Sequence, residues 1–211
     1  VRVSGRVEDK ADSLIGYFVD EARRSGASWS QIGESMGVSK QAVQKRFVAR
    51  AEAQPSDPER LARRMPPRAR NAIRAARQLA ALDEHATQVE ARHLVGGLLT
   101  EPDGVAAIAV RELAVPAETV FAEFALPTLP DDREPLEGRE FGEPAKKVIA
   151  HALDIALHYG HNYVGTEHLL LSAASEGPAV EVMTSLGLGT DRLRPVIEGV
   201  IERVKAQKAD G

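Results

Sequence analysis

The chain has 211 residues, of which 43% are hydrophobic and 27% charged, with a formal net charge of −4 and no cysteine. That is enough apolar length for one large or two small globular domains, and the lack of cysteine excludes disulfides, thiol nucleophiles and Cys-ligated zinc. No apolar run approaches the ~20 residues a membrane helix needs, and the interrupted, charged N-terminus does not read as a signal peptide, so a cytoplasmic protein without a membrane partner is expected.

The net charge hides a division. From Arg23 to Arg77 thirteen Lys or Arg stand against four Asp or Glu, and from Gln78 to Glu140 the balance reverses to four against thirteen. A basic N-terminal third points to nucleic acid or another polyanion, and an acidic middle points away from it. Two tasks in one chain are expected.

Apolar residues recur at helical spacing nearly throughout, aromatics are few and alternation is absent, so the chain reads as all-α. The spacing of Leu14, Ile15, Phe18, Val19 and Ala22 predicts a first helix over 12–25 with Gly26 as its stop. From Ala27 to Phe47 the sequence ASWSQIGESMGVSKQAVQKRF has the layout of a helix-turn-helix. Ser28 with Gln31 makes a capping-box start, and Trp29, Ile32 and Met36 face a core. Gly37 permits a sharp turn, and Ser39 caps a second helix in which Val43 and Phe47 point inward. Ser39, Lys40, Gln41, Gln44, Lys45, Arg46 and Arg50 are then left to read base edges and neutralise phosphates. A helical hairpin with a merely solvated basic face is the other reading of this pattern, and the arginines from Arg60 to Arg77 carry the same pair of readings. Pro55 and Pro58 mark a break.

Beyond the break the sequence lies over itself at an offset of about 75 residues. The stretch beginning ARNAIRAARQL matches the one beginning AKKVIAHALDI; Ile73 falls on Val148, Val89 on Val164, His93 on His168 and Leu94 on Leu169. Each copy is expected to hold four helices, joined by the acidic LPTLPDDREPLEG. In HNYVGTEHLLL, Thr166 stands where an N-cap should, with Glu167 in the first turn and leucines continuing a buried face. The first copy has Arg92 where the second has Glu167, which argues against an acid needed in both. His151, His158, His161 and His168 lack the spacing and adjoining carboxylate of a zinc helix, so neither metal nor cofactor is expected. No nucleophile turn and no GxxxxGK[ST] phosphate loop occurs in the sequence, so no catalytic residue is assigned.

The helix-turn-helix stretch resembles those of actinobacterial regulators and sigma-factor-like domains. The second copy resembles the N-terminal domain of the Clp unfoldases, in the double-repeat form of the Clp-C type, through Gly160, His161, Asn162, Tyr163, Gly165, Thr166, Glu167, His168 and Leu169 in the family's own order. With the more diverged first copy the resemblance covers residues 66–204, and it is similar to the short ATPase-less Clp-C-like proteins of actinobacteria. It implies an eight-helix domain that does no chemistry and recruits substrates, adaptors and, in some members, proteins phosphorylated on arginine or cyclic peptide antibiotics. Carried across by position, it marks Thr166 and Glu167 at the GTEH motif and Phe141, Lys146 and Lys147 on the cyclic-peptide surface as ligand-binding residues. The first copy has Arg92 in place of that glutamate, which argues against phosphoarginine recognition there; in the second, which keeps Glu167, the family's Phe-Thr-basic start becomes Phe141, Gly142, Glu143 and Pro144, without the hydroxyl.

The expected order is a helix plus helix-turn-helix over 1–52, a linker over 53–65, repeat 1 over 66–130, an acidic linker over 131–140, repeat 2 over 141–204 and a tail over 205–211. The expected function is a non-enzymatic regulator coupling DNA binding to peptide or ligand capture, with Clp protease components as further partners. The alternative is an adaptor or decoy that captures peptides, degradation signals or antibiotics otherwise bound by the unfoldase.

Overall fold

The computed structural model describes Val19, Ala22 and residues 27–43, 64–130, 138–161 and 163–209. Contacts divide the chain into two compact units, Val1–Pro55 with Lys208–Gly211, and Ser56–Gln207. The described residues are helical apart from turns, loops and one isolated β-bridge.

In the first unit, α1 (Trp29–Ser35) begins at a reciprocal capping box: Gln31 N–H donates to Ser28 Oγ at 3.2 Å, and Ser28 N–H to Gln31 Oε1 at 2.7 Å. It stops at Gly37, whose φ of +67° costs a glycine nothing. Val38 N–H then bonds back to Gly33 O at 2.8 Å, so close that a Cβ on Gly33 would sit 2.7 Å from Val38 O. A second helical segment starts at Lys40, with Ala42 N–H donating to Ser39 Oγ at 3.1 Å. Val19, Ile32 and Val43 form a small core, with Ala22, Ala27 and Met36 packed against it. The rest of the first helix, the side chain of Trp29, and Gln44, Lys45, Arg46, Phe47 and Arg50 lie outside the described residues, as do Pro55, Pro58 and the arginines from Arg60 to Arg63.

The second unit holds eight described helices: α2 (Pro67–Leu82), α3 (Ala91–Leu99), α4 (Val105–Glu112), α5 (Ala117–Glu123), α6 (Glu143–His158), α7 (Thr166–Ser175), α8 (Val180–Ser185) and α9 (Thr190–Ala209). Both long first helices open with proline in the first turn, where a missing N–H costs nothing. Each buries a narrow stripe, Ala69, Ala72, Ala76 and Ala80 in α2 and Ala145, Val148, Ala152 and Ala156 in α6. The two short helices they cover, α3 and α7, are buried on almost every side and pack against each other at the centre.

The stripes correct the repeat's register. Position 69 to 145 is an offset of 76, whereas His93 to His168 is 75, so the loop between the first two helices is one residue shorter in the second copy. Ile73 therefore corresponds to Ile149, and Val148 to Ala72. A self-comparison at one fixed offset has no means of placing a single-residue gap.

The repeats also trade backbone. Val89, just before α3, donates its N–H to Glu140 O at 2.7 Å and accepts from Gly142 N–H at 3.0 Å, while Val164, just before α7, donates to Arg64 O at 3.1 Å. Each repeat's entry segment thus bonds to the loop of the other.

Candidate functional site

The junction between the repeats is where the GTEH motif lies. Gly165, not Thr166, is the N-cap of α7, and Thr166 is its first helical residue. The cap is made from the other end, because Gly165 N–H donates to His168 Nδ1 at 2.9 Å, as Glu90 N–H does to His93 Nδ1 at 2.9 Å in the first repeat. Freed from capping its own helix, the Thr166 hydroxyl accepts from Ala106 N–H at 3.3 Å and so caps α4 of the other repeat. Gly104, the N-cap of α4, makes room: a Cβ there would lie 3.3 Å from Thr166 Oγ1.

Thr166 and Glu167 are 3% and 4% exposed. Burial holds the Glu167 carboxyl above the ordinary carboxylate range, against hydrogen bonds from Tyr163 and Thr166 and the nearby His161 ring that work the other way. His168 is pushed down to about 3 by burial. In the first repeat Arg92 takes the position of Glu167 and forms ion pairs with Asp83 at 2.6 Å and Glu90 at 2.7 Å. Burial alone would raise the Asp83 carboxyl, but bonds from the His85 N–H and His93 together with the Arg92 charge hold it below the usual range.

His161, Glu167 and His168 lie close enough that their ligating atoms are within 4.8 Å of one another, the separation of a metal triad. The cap argues against it. His168 Nδ1 accepts a backbone N–H, so in the neutral ring Nε2 carries the hydrogen and donates it to His161 Nδ1 at 2.9 Å. A metal on Nε2 needs that lone pair and would leave an N–H on Nδ1 facing the Gly165 N–H; metal-bound histidines have the opposite polarity there. A second cluster, Ser172, Ser175, His151 and Glu176, likewise lacks hydrolase geometry. Ser172 Oγ at 3.3 Å, Ser175 Oγ at 3.4 Å and Glu176 Oε1 at 3.8 Å all approach the same nitrogen, His151 Nδ1, and Ser172 donates to Val148 O at 2.7 Å.

The surface residues separate from the junction. Lys146 and Lys147 are exposed in the first turn of α6, with Lys146 Nζ bonded to Glu143 Oε1 at 2.7 Å. Phe141 is half-buried in the bridge to Val89, its ring 6.0 Å from the Arg77 guanidinium. Arg77 is itself anchored, donating to Arg139 O at 3.1 Å and Gly138 O at 3.0 Å. The structure thus brings Phe141, Lys146 and Lys147 to one end of α6 and leaves Thr166 and Glu167 inside. A Cβ on Gly142 would meet the Gln88 side chain at 2.7 Å, so the family's threonine is not accommodated there without moving Gln88. Arg77 was legible only as one of a basic run, since its partners lie more than sixty residues away. In the first unit Ser39, Lys40 and Gln41 are exposed.

The family model of the Clp repeat (R) N-terminal domain matches residues 140–211. A Mycobacterium tuberculosis protein described as uncharacterized is 49% identical over 162 residues, covering 77% of this chain and 63% of the relative. The ATP-binding subunit ClpC of the ATP-dependent Clp protease from Staphylococcus saprophyticus is 34% identical over 128 residues, 57% of this chain but 16% of the subunit. A solved structure from a study of a malarial protein secretion system superposes with a TM-score of 0.53 at 16% identity, over 66% of this chain and 96% of that one, which shows a shared fold. No described helix is long and apolar enough to cross a membrane. Of the two buried histidine-capped helices, covered by long partners and joined by exchanged backbone contacts, the second lies in a stretch, residues 140–211, that carries the sequence of a Clp repeat (R) N-terminal domain.

Proposed function

We propose that the protein is a non-enzymatic regulator in which a DNA-binding helix-turn-helix is joined to a Clp-type domain that captures a peptide or small ligand. The observation that carries the DNA half is the capped turn at Gly37: a capping box, a positive φ and a second cap in sequence present Lys40 and Gln41 to solvent at the start of a helix. Residues Ser39, Lys40, Gln41, Gln44, Lys45, Arg46 and Arg50 contact DNA, within a module of residues 1–52 and a linker over 53–65. Lysines and arginines displace counterions from the phosphates, so affinity falls steeply with salt. Ligand is held by the repeats, 66–130 and 141–204, at Phe141, Lys146 and Lys147. Thr166 and Glu167 join only if the junction opens, so a ligand that reaches them changes how the repeats meet and through that the occupancy of DNA.

Fluorescence anisotropy on the DNA upstream of the protein's own coding sequence tests this at two salt concentrations, with and without a cyclic peptide that binds Clp N-domains. The expected result is binding that weakens with salt and shifts with peptide. Equal DNA affinity with and without saturating peptide defeats the coupling.

A second reading is an adaptor or decoy that competes with the Clp unfoldase for peptides, degradation signals or antibiotics. The retained Phe141 and Lys146 on a complete pair of repeats favour it. Peptide binding without a DNA complex at either salt is its signature, and sequestration then needs only affinity and abundance.

A further inference from the structure

The two repeats differ where the first long helix faces the loop before the third helix. In the first, Arg68 at the start of α2 and Asp103 in the loop before α4 approach to 3.6 Å and close the space between helix and loop. In the second repeat Pro144 takes the place of Arg68 at an offset of 76, and the loop before α8, two residues shorter than the one before α4, carries Pro178 in place of an acid. Two prolines have no charges to draw the walls together. Between them in the second repeat lies a cleft of about 270 Å³, also lined by Lys147, Val148 and Glu176. Its volume falls below the ~300–1,000 Å³ of pockets that enclose a drug-sized ligand, which suits one large side chain. Val148 is 1% exposed and makes an apolar floor between the two rings. Opposite charges stand on facing elements, Lys147 on the helix and Glu176 on the loop. Neighbouring Glu143 is occupied by Lys146 at 2.7 Å, and Lys147 makes no ion pair among the described residues.

From these observations we infer that this cleft is a peptide subsite for one aromatic or large aliphatic residue within an extended segment. The side chain enters between Pro144 and Pro178 onto Val148. Its own peptide units supply what the rim asks for, a carbonyl to accept from the Lys147 ammonium and an N–H to donate to the Glu176 carboxylate. Neither a free anion nor a free cation matches both walls. The inference deepens the peptide-capture reading and rests on it, adding a specificity the first repeat does not share.

The test is an amide ¹H–¹⁵N titration of the whole protein with the blocked tripeptide acetyl-Ala-Phe-Ala-amide, with acetyl-Ala-Ala-Ala-amide as comparison. Saturable shifts are expected at Lys147, Val148 and Gly177, at least tenfold weaker with the alanine peptide. The double variant Pro144→Arg, Pro178→Asp sets opposite charges on the two walls, as Arg68 and Asp103 stand in the first repeat, and is expected to abolish them with its melting midpoint kept. Lys147→Glu, on the surface and without a core role, is expected to weaken them in the same direction. Equal shifts with both peptides, or no shift with either, overturn the inference. Shifts confined to Phe141 and Lys146 also overturn it while leaving Clp-type peptide capture intact, and the cyclic-peptide titration reports on that capture independently.

Discussion

His168 and His93 hold one place in the two repeats, and their task is to accept a backbone N–H at the mouth of a buried helix. That task fixes the neutral ring, and burial lowers both below the ordinary histidine value, His168 to about 3. A histidine depressed in the folded state binds its proton more readily when unfolded, so stability is lost as pH falls below the unfolded value of ~6.5, by about 1.4 kcal/mol per pH unit while the folded ring stays neutral. For His168 the loss continues until pH reaches its folded value. Glu167 works in the opposite sense. Its raised value means the folded state holds the proton longer, a contribution present at low pH and lost as pH rises through the folded value. Urea unfolding at pH 6.5 and pH 5 should therefore show a drop of ~1–2 kcal/mol in the native protein. His168→Asn, which keeps an acceptor for the Gly165 N–H, should flatten that drop although it lowers stability at pH 7. An unchanged drop would remove His168 from the account.

Ala114 ends α4 with φ of +57°, where the corresponding turn after α8 uses Gly187 at +73°. Left-handed geometry costs an alanine ~1–2 kcal/mol, and glycine returns ~0.4–1 kcal/mol of that through unfolded-chain entropy. Ala114→Gly is expected to stabilise by roughly 0.5–1 kcal/mol, read as a melting midpoint higher by a few degrees.

Among the elements, the crossings of α2 with α3 and α6 with α7 solve one packing problem in two ways. In the first, Gly97 lies so close to α2 that a Cβ would come within 2.3 Å of Ala72 O and 2.8 Å of Ala76 N. In the second, the same position is Ser172, whose hydroxyl donates to Val148 O, the counterpart of Ala72 O, at 2.7 Å. A bare glycine contact and a side-chain hydrogen bond thus hold equivalent helices. Gly97→Ala should cost ~1–3 kcal/mol through overpacking, and Ser172→Ala ~1 kcal/mol through a lost buried bond; denaturation of both variants checks the order. These crossings also show where sequence reading stops. The helices, their burial pattern and the repeat were legible because alanines and leucines recur at 3.6-residue spacing. That Thr166 caps a helix of the other repeat was not, since a hydroxyl before an apolar run signals a local cap and its partner is sixty residues away. Phe141, Lys146 and Lys147 were placed by resemblance, and no local pattern would have tied Phe141 to Val89 and Arg77.

At the scale of the repeat pair, each copy is incomplete. Helix α7 buries its faces against α6 but also against α3, α4 and α2, and the loops before α3 and α7 take their backbone partners from the opposite repeat. A fragment starting at residue 138 would expose those apolar faces, lose Arg64 O as the partner of the Val164 N–H, and leave Thr166 with no α4 to cap. Such a fragment buries a smaller share of its surface than the pair, too little to offset the entropy of ordering its loops. Residues 138–209 alone are therefore expected to give weak helical circular dichroism and no cooperative melt, and the separately made 56–130 fragment is expected to restore both on mixing. A cooperative melt of the single repeat would mean that the exchanged segments only decorate two self-sufficient units. If the repeats fold only together, a ligand that loosens the Thr166 and Glu167 junction acts on the stability of the whole domain, and a local binding event has a route to a global change.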